Sequence, residues 1–256
     1  VRKDDLGFGI DIGGTGMKAA VVDLASGELA SKRHRIPTPR PATPAAMAAV
    51  LCELVEFHDW KQPLGVAFPS IVHHGVVTLA ANIDASWIGV DADALFTQAC
   101  GLDVTMMNDA DAAGVAEMRF GAGRDRDGVV IMLTFGTGIG SGLFVDGMLV
   151  PNTELGHLEL DGRDAETRAS AVARERDGIG WAEWATRVER YLHHLEMLFS
   201  PDLFIVGGGA SKSADVWLPM ISVDTETVPA TMANNAGIVG AALVAHDLAP
   251  SIRTRR

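Results

Sequence analysis

Two stretches of this chain repeat one pattern, and that repeat constrains the fold more than any other feature. The first runs Gly9-Ile10-Asp11-Ile12-Gly13-Gly14-Thr15-Gly16-Met17-Lys18 and reaches Asp23. The second runs Thr134-Phe135-Gly136-Thr137-Gly138-Ile139-Gly140-Ser141-Gly142 and reaches Asp146. Asp11 to Asp23 and Thr134 to Asp146 span the same number of residues. In each, an apolar β-run enters a glycine-rich loop and a second β-run leaves it. Glycine lets a loop turn its backbone N–H groups toward an anion at close range. Two such cradles predict two related halves closing on one phosphate chain. Neither loop has the spacing of the P-loop or of the dinucleotide fingerprint, so either one alone reads equally well as an ordinary hairpin turn.

The remaining pattern fits a duplication. Residues 6–10, 18–23 and 28–36 read as a three-stranded meander, and prolines 37, 39, 41 and 44 make a stiff connection to a helix capped by Thr43. Short apolar strands follow at Leu64–Phe68, Ile71–Leu79 and Asp103–Met107. Helical spacing then runs from Asn108-Asp109 to Arg119. Strands at Val129–Phe135, Gly142–Val145 and Met148–Val150 repeat the opening meander. A long helix over Ile179–Phe199 carries an apolar stripe through Trp181, Trp184, Val188, Tyr191, Leu192, Leu195 and Leu198, which suits a core or a subunit interface. A strand at Leu203–Val206 enters Gly207-Gly208-Gly209, and Gly237–Leu248 is a closing helix. The expected fold is a duplicated α/β protein of two domains flanking a cleft. A small domain over 1–108 is joined by helix 237–248, and a larger one covers 109–236. Ligands in such folds sit at the carboxyl ends of strands, where both glycine loops, Asn108-Asp109 and Gly207–Gly209 all fall.

Charge and composition narrow the function. A net charge of −12 argues against a general nucleic-acid binder. No apolar run reaches membrane-spanning length, and the start of the chain enters a strand without a leader, so a cytoplasmic protein is expected. The two cysteines, Cys52 and Cys100, make neither a disulfide framework nor a metal pattern. Basic residues gather at Lys32–Arg35 with Arg40, at Arg119, Arg124 and Arg126, and at the C-terminal tail, and read either as solvated surface or, for Arg33, Arg35, Arg119 and Arg124, as the rim of the cleft.

Several residues carry chemistry. Asp109 closes a strand and opens a helix, where a carboxylate serves either as a cap, a role Asn108 could share, or as a base that takes a proton from a substrate hydroxyl. Glu154-Leu155-Gly156-His157, with Glu166 shortly after, offers two carboxylates and an imidazole, which suit the hydroxyls of a polyol. Asn82 reads as a turn former or a sugar contact, and Lys18 as a phosphate partner or a solvated lysine.

The set resembles the ROK family of sugar kinases and repressors, within the hexokinase–actin superfamily. The matching pieces are Asp11-Ile12-Gly13-Gly14-Thr15, Asn108-Asp109-Ala110-Asp111, Gly136–Gly140, Glu154–His157 and Gly207–Gly209. Within the family the chain is most similar to the polyphosphate glucokinases, through Val150–His157, Pro201–Gly209 and Ala236–Gly240. The resemblance implies a duplicated actin-like, hexokinase-like (ribonuclease H-like) fold and a homodimer. It implies phosphoryl transfer from polyphosphate or ATP to the 6-hydroxyl of glucose, and leaves open whether mannose is accepted as well. It makes Asp109 the general base and gives Asn82, Asn108, Glu154, His157 and Glu166 to the sugar. Gly13, Gly14, Thr15, Lys18, Thr137 and Gly138 would hold phosphates, Gly208 and Gly209 would lie by the adenosine, and Asp11 would orient Mg²⁺ through water. Typical members place a cysteine-rich zinc motif after the His157 position, and that histidine binds the metal. This chain has no cysteine between His157 and Glu166, so no zinc is expected. Three rivals remain: an ATP-only kinase of another hexose or aminosugar, a sugar-responsive repressor, and a non-catalytic sugar binder.

Overall fold

The computed structural model describes residues 5–79 and 83–253. In chain order the strands and helices are β1 (Leu6–Gly13), β2 (Gly16–Asp23), β3 (His34–Ile36), α1 (Pro44–Phe57), β4 (Leu64–Phe68), β5 (Val72–His73), β6 (Val76–Val77), α2 (Ala92–Cys100), β7 (Val104–Asn108) and α3 (Asp109–Phe120). There follow β8 (Val129–Phe135), β9 (Ile139–Val145), β10 (Met148–Val150), β11 (Glu159–Leu160), β12 (Arg163–Asp164), α4 (Glu166–Ala169), α5 (Ala171–Asp177), α6 (Trp181–Phe199), β13 (Leu203–Gly208), α7 (Ala214–Trp217), β14 (Glu226–Pro229) and α8 (Ala236–Arg253). The chain divides into two compact units, one of Val1–Ala116 with Asn234–Arg256, the other of Glu117–Ala233.

The first unit is built on the sheet β3-β2-β1-β4-β7. β1 to β3 form the antiparallel meander, while β1, β4 and β7 run parallel. The sequence of β1 alternates glycine with large apolar residues, and this decides which helix covers which face. Phe8, Ile10 and Ile12 point into a core with Met47, Leu51 and Leu54 of α1 and Phe96 of α2. Each such side chain contributes roughly 1.5–3 kcal/mol on burial. The other face has glycines so that α8 can lie against the strands. A Cβ on Gly9 would sit 1.8 Å from the Ile238 carbonyl oxygen, and one on Gly65 1.9 Å from that of Ala241. Thr43 caps α1 as expected, its hydroxyl accepting from the Ala46 N–H at 3.4 Å.

The second unit repeats the plan with the sheet β10-β9-β8-β13-β14. β8 to β10 are the antiparallel meander, and β8, β13 and β14 run parallel. Most of the stripe on α6 is core: Trp184, Val188, Tyr191, Leu192 and Leu195 are fully buried against Ile131, Leu133, Phe135, Phe204 and Val206, whereas Trp181 is partly buried at the edge and Leu198 is exposed. Trp184 meets Trp217 edge-on at 5.0 Å between ring centroids.

Local departures from the expected elements have local causes. Ile71–Leu79 is a hairpin of β5 and β6, because His74 and Gly75 take positive φ and turn the chain. Only 34–36 of the third expected strand is regular, with Leu29 making an isolated bridge to Val22. α2, α4, α5, α7 and β14 were not apparent from periodicity, since each is short or partly polar.

Candidate active site

The loop joining β1 to β2 is the two-residue Gly14-Thr15, both exposed. Strand register sets Asp11 opposite Lys18, and their side chains form an ion pair at 3.0 Å. The loop is braced from the segment after β2. Thr38 donates its hydroxyl to the Gly13 carbonyl at 2.5 Å. The Arg35 guanidinium donates to the Thr15 carbonyl and lies over Gly16, where a Cβ would approach its Nε to 2.4 Å. Arg35, a rim residue by sequence reasoning, therefore touches the first glycine loop itself. Arg33 reaches elsewhere, to the Asn234 carbonyl and the Asn235 side chain at 3.3 and 3.0 Å.

Because β1, β4 and β7 are parallel, the first loop and Asn108-Asp109 share one sheet edge. With strand spacing of about 4.8 Å, the ends of β1 and β7 lie roughly 10 Å apart. Asn108 is the cap of α3. Its Oδ1 accepts from the Ala110 and Asp111 N–H groups at 2.8 and 3.1 Å, and its Nδ2 donates to the Ser70 carbonyl at 3.2 Å. The capping task thus falls to Asn108, and Asp109 stands in the first turn of the helix. A helix N-terminus favours an ionised carboxylate. The amide of Asn108 is buried and largely engaged, keeping one N–H for any further partner. Asn82 lies outside the described residues.

Asp11 also fits a magnesium ion. Gly237, at the start of α8, leaves room beside its carboxylate, since a Cβ there would lie 3.2 Å from Cγ. Magnesium characteristically takes one or two carboxylates, substrate phosphates and several waters. Among the described residues no group of three or more His, Cys, Asp or Glu is arranged to hold a metal on its own.

In the second unit the loop 136–138 joins β8 to β9, with Thr137 exposed at its apex. The Gly136 N–H donates to the Gly138 carbonyl at 3.0 Å. Glu166, first residue of α4, braces this loop: its Oε2 accepts from the Ile139 N–H at 3.1 Å, and a Cβ on Gly138 would lie 2.3 Å from that oxygen. β13 runs parallel to β8 with Gly208 opposite Phe135, so Gly207–Gly209 opens at the same sheet edge as the second loop. Gly208 has φ +77°, and a Cβ there would collide with the Phe135 backbone, so only glycine fits.

Glu154, His157 and Glu166 converge in this unit. His157 Nε2 lies 3.9 Å from Glu154 and its Nδ1 4.0 Å from Glu166. Burial pushes the Glu154 carboxyl up, opposed by His157 and reinforced by Glu166. Sequence reasoning missed a fourth member: Asp164 on β12 accepts from His157 Nδ1 at 2.9 Å. That bond is the largest cause holding the imidazole above its usual pKa. No motif flags Asp164, because a hairpin between the two residues brings them together. Chemically, each unit presents a glycine-rich loop at a sheet edge. The first adds a helix-opening carboxylate, and the second adds a polar cluster suited to hydroxyls.

The chain is 50% identical to a polyphosphate glucokinase of Mycobacterium tuberculosis (strain CDC 1551 / Oshkosh) over 238 residues, 93% of this chain and 90% of that protein. The solved inorganic polyphosphate/ATP-glucomannokinase of Arthrobacter sp. strain KM matches with a TM-score of 0.90 and 53% identity, covering 95% of this chain and 99% of that one. A ROK family glucokinase from Streptomyces griseus, solved with glucose and AMPPNP, matches with a TM-score of 0.81 and 27% identity over 94% of this chain and 99% of that one. The ROK family model matches residues 7–177, from the first strand through both glycine loops and the polar cluster, and the chain therefore belongs to the ROK family.

Proposed function

We propose that the chain is a hexose kinase that transfers the terminal phosphoryl group of inorganic polyphosphate or ATP to the 6-hydroxyl of glucose, with mannose as a further acceptor. One observation carries this reading: the likeness, at 50% and 53% identity over more than nine-tenths of the chain, to two proteins named as polyphosphate-using sugar kinases. The residues supply the chemistry. Asp109 accepts the proton of the 6-hydroxyl as that oxygen bonds to the terminal phosphorus. The bond from phosphorus to its bridging oxygen breaks, leaving ADP or a polyphosphate one unit shorter. Glu154, His157 and Glu166 hold the sugar hydroxyls, with Asn108 and Asn82 beside them in role. Backbone N–H groups at Gly13, Gly14, Thr15, Thr137 and Gly138, with Lys18, hold phosphates, and Gly208 and Gly209 serve the adenosine of ATP. Asp11 would hold a magnesium ion, whose charge would offset that of the phosphates. No zinc enters this reading, because no cysteine follows His157 before Glu166. The proposed setting is the cytoplasm and the proposed assembly a homodimer; among the described residues no helix is long and apolar enough to cross a membrane.

One observation favours an ATP-only kinase instead: a net charge of −12 opposes a long polyanion. Phosphorylation of a hexose panel with ATP and polyphosphate as separate donors separates the two. Glucose 6-phosphate is expected from both donors. A preparation active with ATP and silent with polyphosphate overturns the donor assignment.

A further inference from the structure

We infer that Asp164 is a positioning residue: its carboxylate holds the His157 ring so that Nε2 is presented to the sugar. This rests on the sugar-holding role proposed for His157. The imidazole sits at the end of a single 3-10 turn, Leu155–His157, with its side chain 36% exposed, and so needs a partner to hold one orientation. Three carboxylates face it. Glu154 approaches Nε2 to 3.9 Å and Glu166 approaches Nδ1 to 4.0 Å, both beyond hydrogen-bond reach. Asp164 is within reach of Nδ1, at 2.9 Å.

The element carrying Asp164 is pinned. β11 and β12 form a two-stranded hairpin whose turn is Asp161-Gly162, both at positive φ, as a tight hairpin turn requires. Asp161 is gripped by the Arg190 guanidinium of α6 through Nη2 and through Nε at 2.8 Å, with Arg168 at 3.7 Å. The Thr167 hydroxyl donates to the Asp164 carbonyl at 2.6 Å, and the Ala165 N–H donates to the Leu158 carbonyl at 2.9 Å. The carboxylate is thus delivered by a braced hairpin.

An acceptor at Nδ1 places the neutral ring's proton there and leaves the Nε2 lone pair outward. When the ring is charged, Nε2 carries a proton instead. A sugar hydroxyl pairs with either form, because it both donates and accepts. The same hydrogen bond keeps the ring charged to higher pH, with Glu166 and Glu154 adding to it and burial opposing it.

Asp164→Ala and Asp164→Asn in the full chain test this, read by sugar kinetics and by ¹⁵N titration of the His157 imidazole. Asp164→Ala should raise KM for glucose about tenfold, the effect of losing one charge-assisted hydrogen bond. KM for ATP and polyphosphate should stay unchanged, and the His157 titration midpoint should fall. Asp164→Asn keeps an acceptor without the charge, so it should preserve the Nδ1–H tautomer, lower the midpoint and give an intermediate KM. A folded Asp164→Ala protein with wild-type glucose KM and an unmoved titration overturns the inference. If Asp164→Ala does not fold, the same two unmoved readouts in Asp164→Asn overturn it. Wild-type protein that phosphorylates no glucose would sink the proposed activity instead, while the titration would still decide the pairing.

Discussion

The division of labour between Asn108 and Asp109 shows how much depends on one position. Both are residues that cap helices, and from sequence either could have done so. In the fold Asn108 Oδ1 takes two N–H groups of the first turn, those of Ala110 and Asp111, so the capping role falls to it rather than to its neighbour. Asp109→Asn should therefore leave the melting temperature nearly unchanged. Turnover should fall by ~10²-fold or more if Asp109 is the base, the scale of general-base catalysis. Near-normal turnover in the folded variant would return Asp109 to a structural role. Arg35 teaches the complementary lesson. A basic run in the sequence reads as solvated surface, yet its second arginine lies on the Thr15 carbonyl and accounts for the glycine at 16.

At the scale of elements, those with strong periodicity were legible and the short ones were not. α1, α3, α6, α8, the meander strands other than β3, and the parallel strands β4, β7 and β13 fall close to where apolar spacing places them. α2 did not announce itself, because only Ala92 and Phe96 on it are fully buried. Its first turn carries an uncommon group. Asp93 accepts from the Met106 N–H at 2.8 Å, and burial pushes its carboxyl up from 3.8 to about 6, with that N–H opposing and Asp91 adding. The sign follows from the raised value. Between pH 4 and about 6 the folded chain keeps a proton that the unfolded chain has lost, so stability falls as pH rises through that window and is level above it. Asp93→Asn keeps the acceptor and removes the titration. It should stabilise the protein at pH 8 by on the order of 1–3 kcal/mol and by much less near pH 4, measured by urea unfolding at both. Equal effects at the two pH values would show that the carboxyl does not titrate in this way.

For the molecule as a whole, the central tension is charge. At −12 the chain repels polyanions at long range, so a polyphosphate donor must be held by local positive groups and oriented N–H dipoles. Lys18 is already paired with Asp11, whereas among the described residues no ion pair engages Arg35. Contacts of this kind weaken with salt. The Michaelis constant for long polyphosphate should accordingly rise more steeply with added salt than that for ATP. Arg35→Gln, which loosens the loop that both donors would use, should raise both constants and leave that for glucose alone. Parallel salt slopes, or an Arg35→Gln enzyme with unaltered donor constants, would contradict this account.

The duplicated hairpins, the glycine loops and the helix-opening Asn108-Asp109 pair are local features, specified by neighbours in the chain, and the sequence alone determined them. So too the absence of cysteine between His157 and Glu166. The tertiary structure decided what is non-local. It chose Asn108 as the cap, carried Arg35 onto Gly16, set Glu166 against Gly138, and folded a hairpin so that Asp164 meets His157. Residues separated along the chain by a strand or a turn acquire a distance only when register and packing are fixed. Charge and hydrogen bonding act through that distance, so the partners of a polar side chain stay open until the chain has folded.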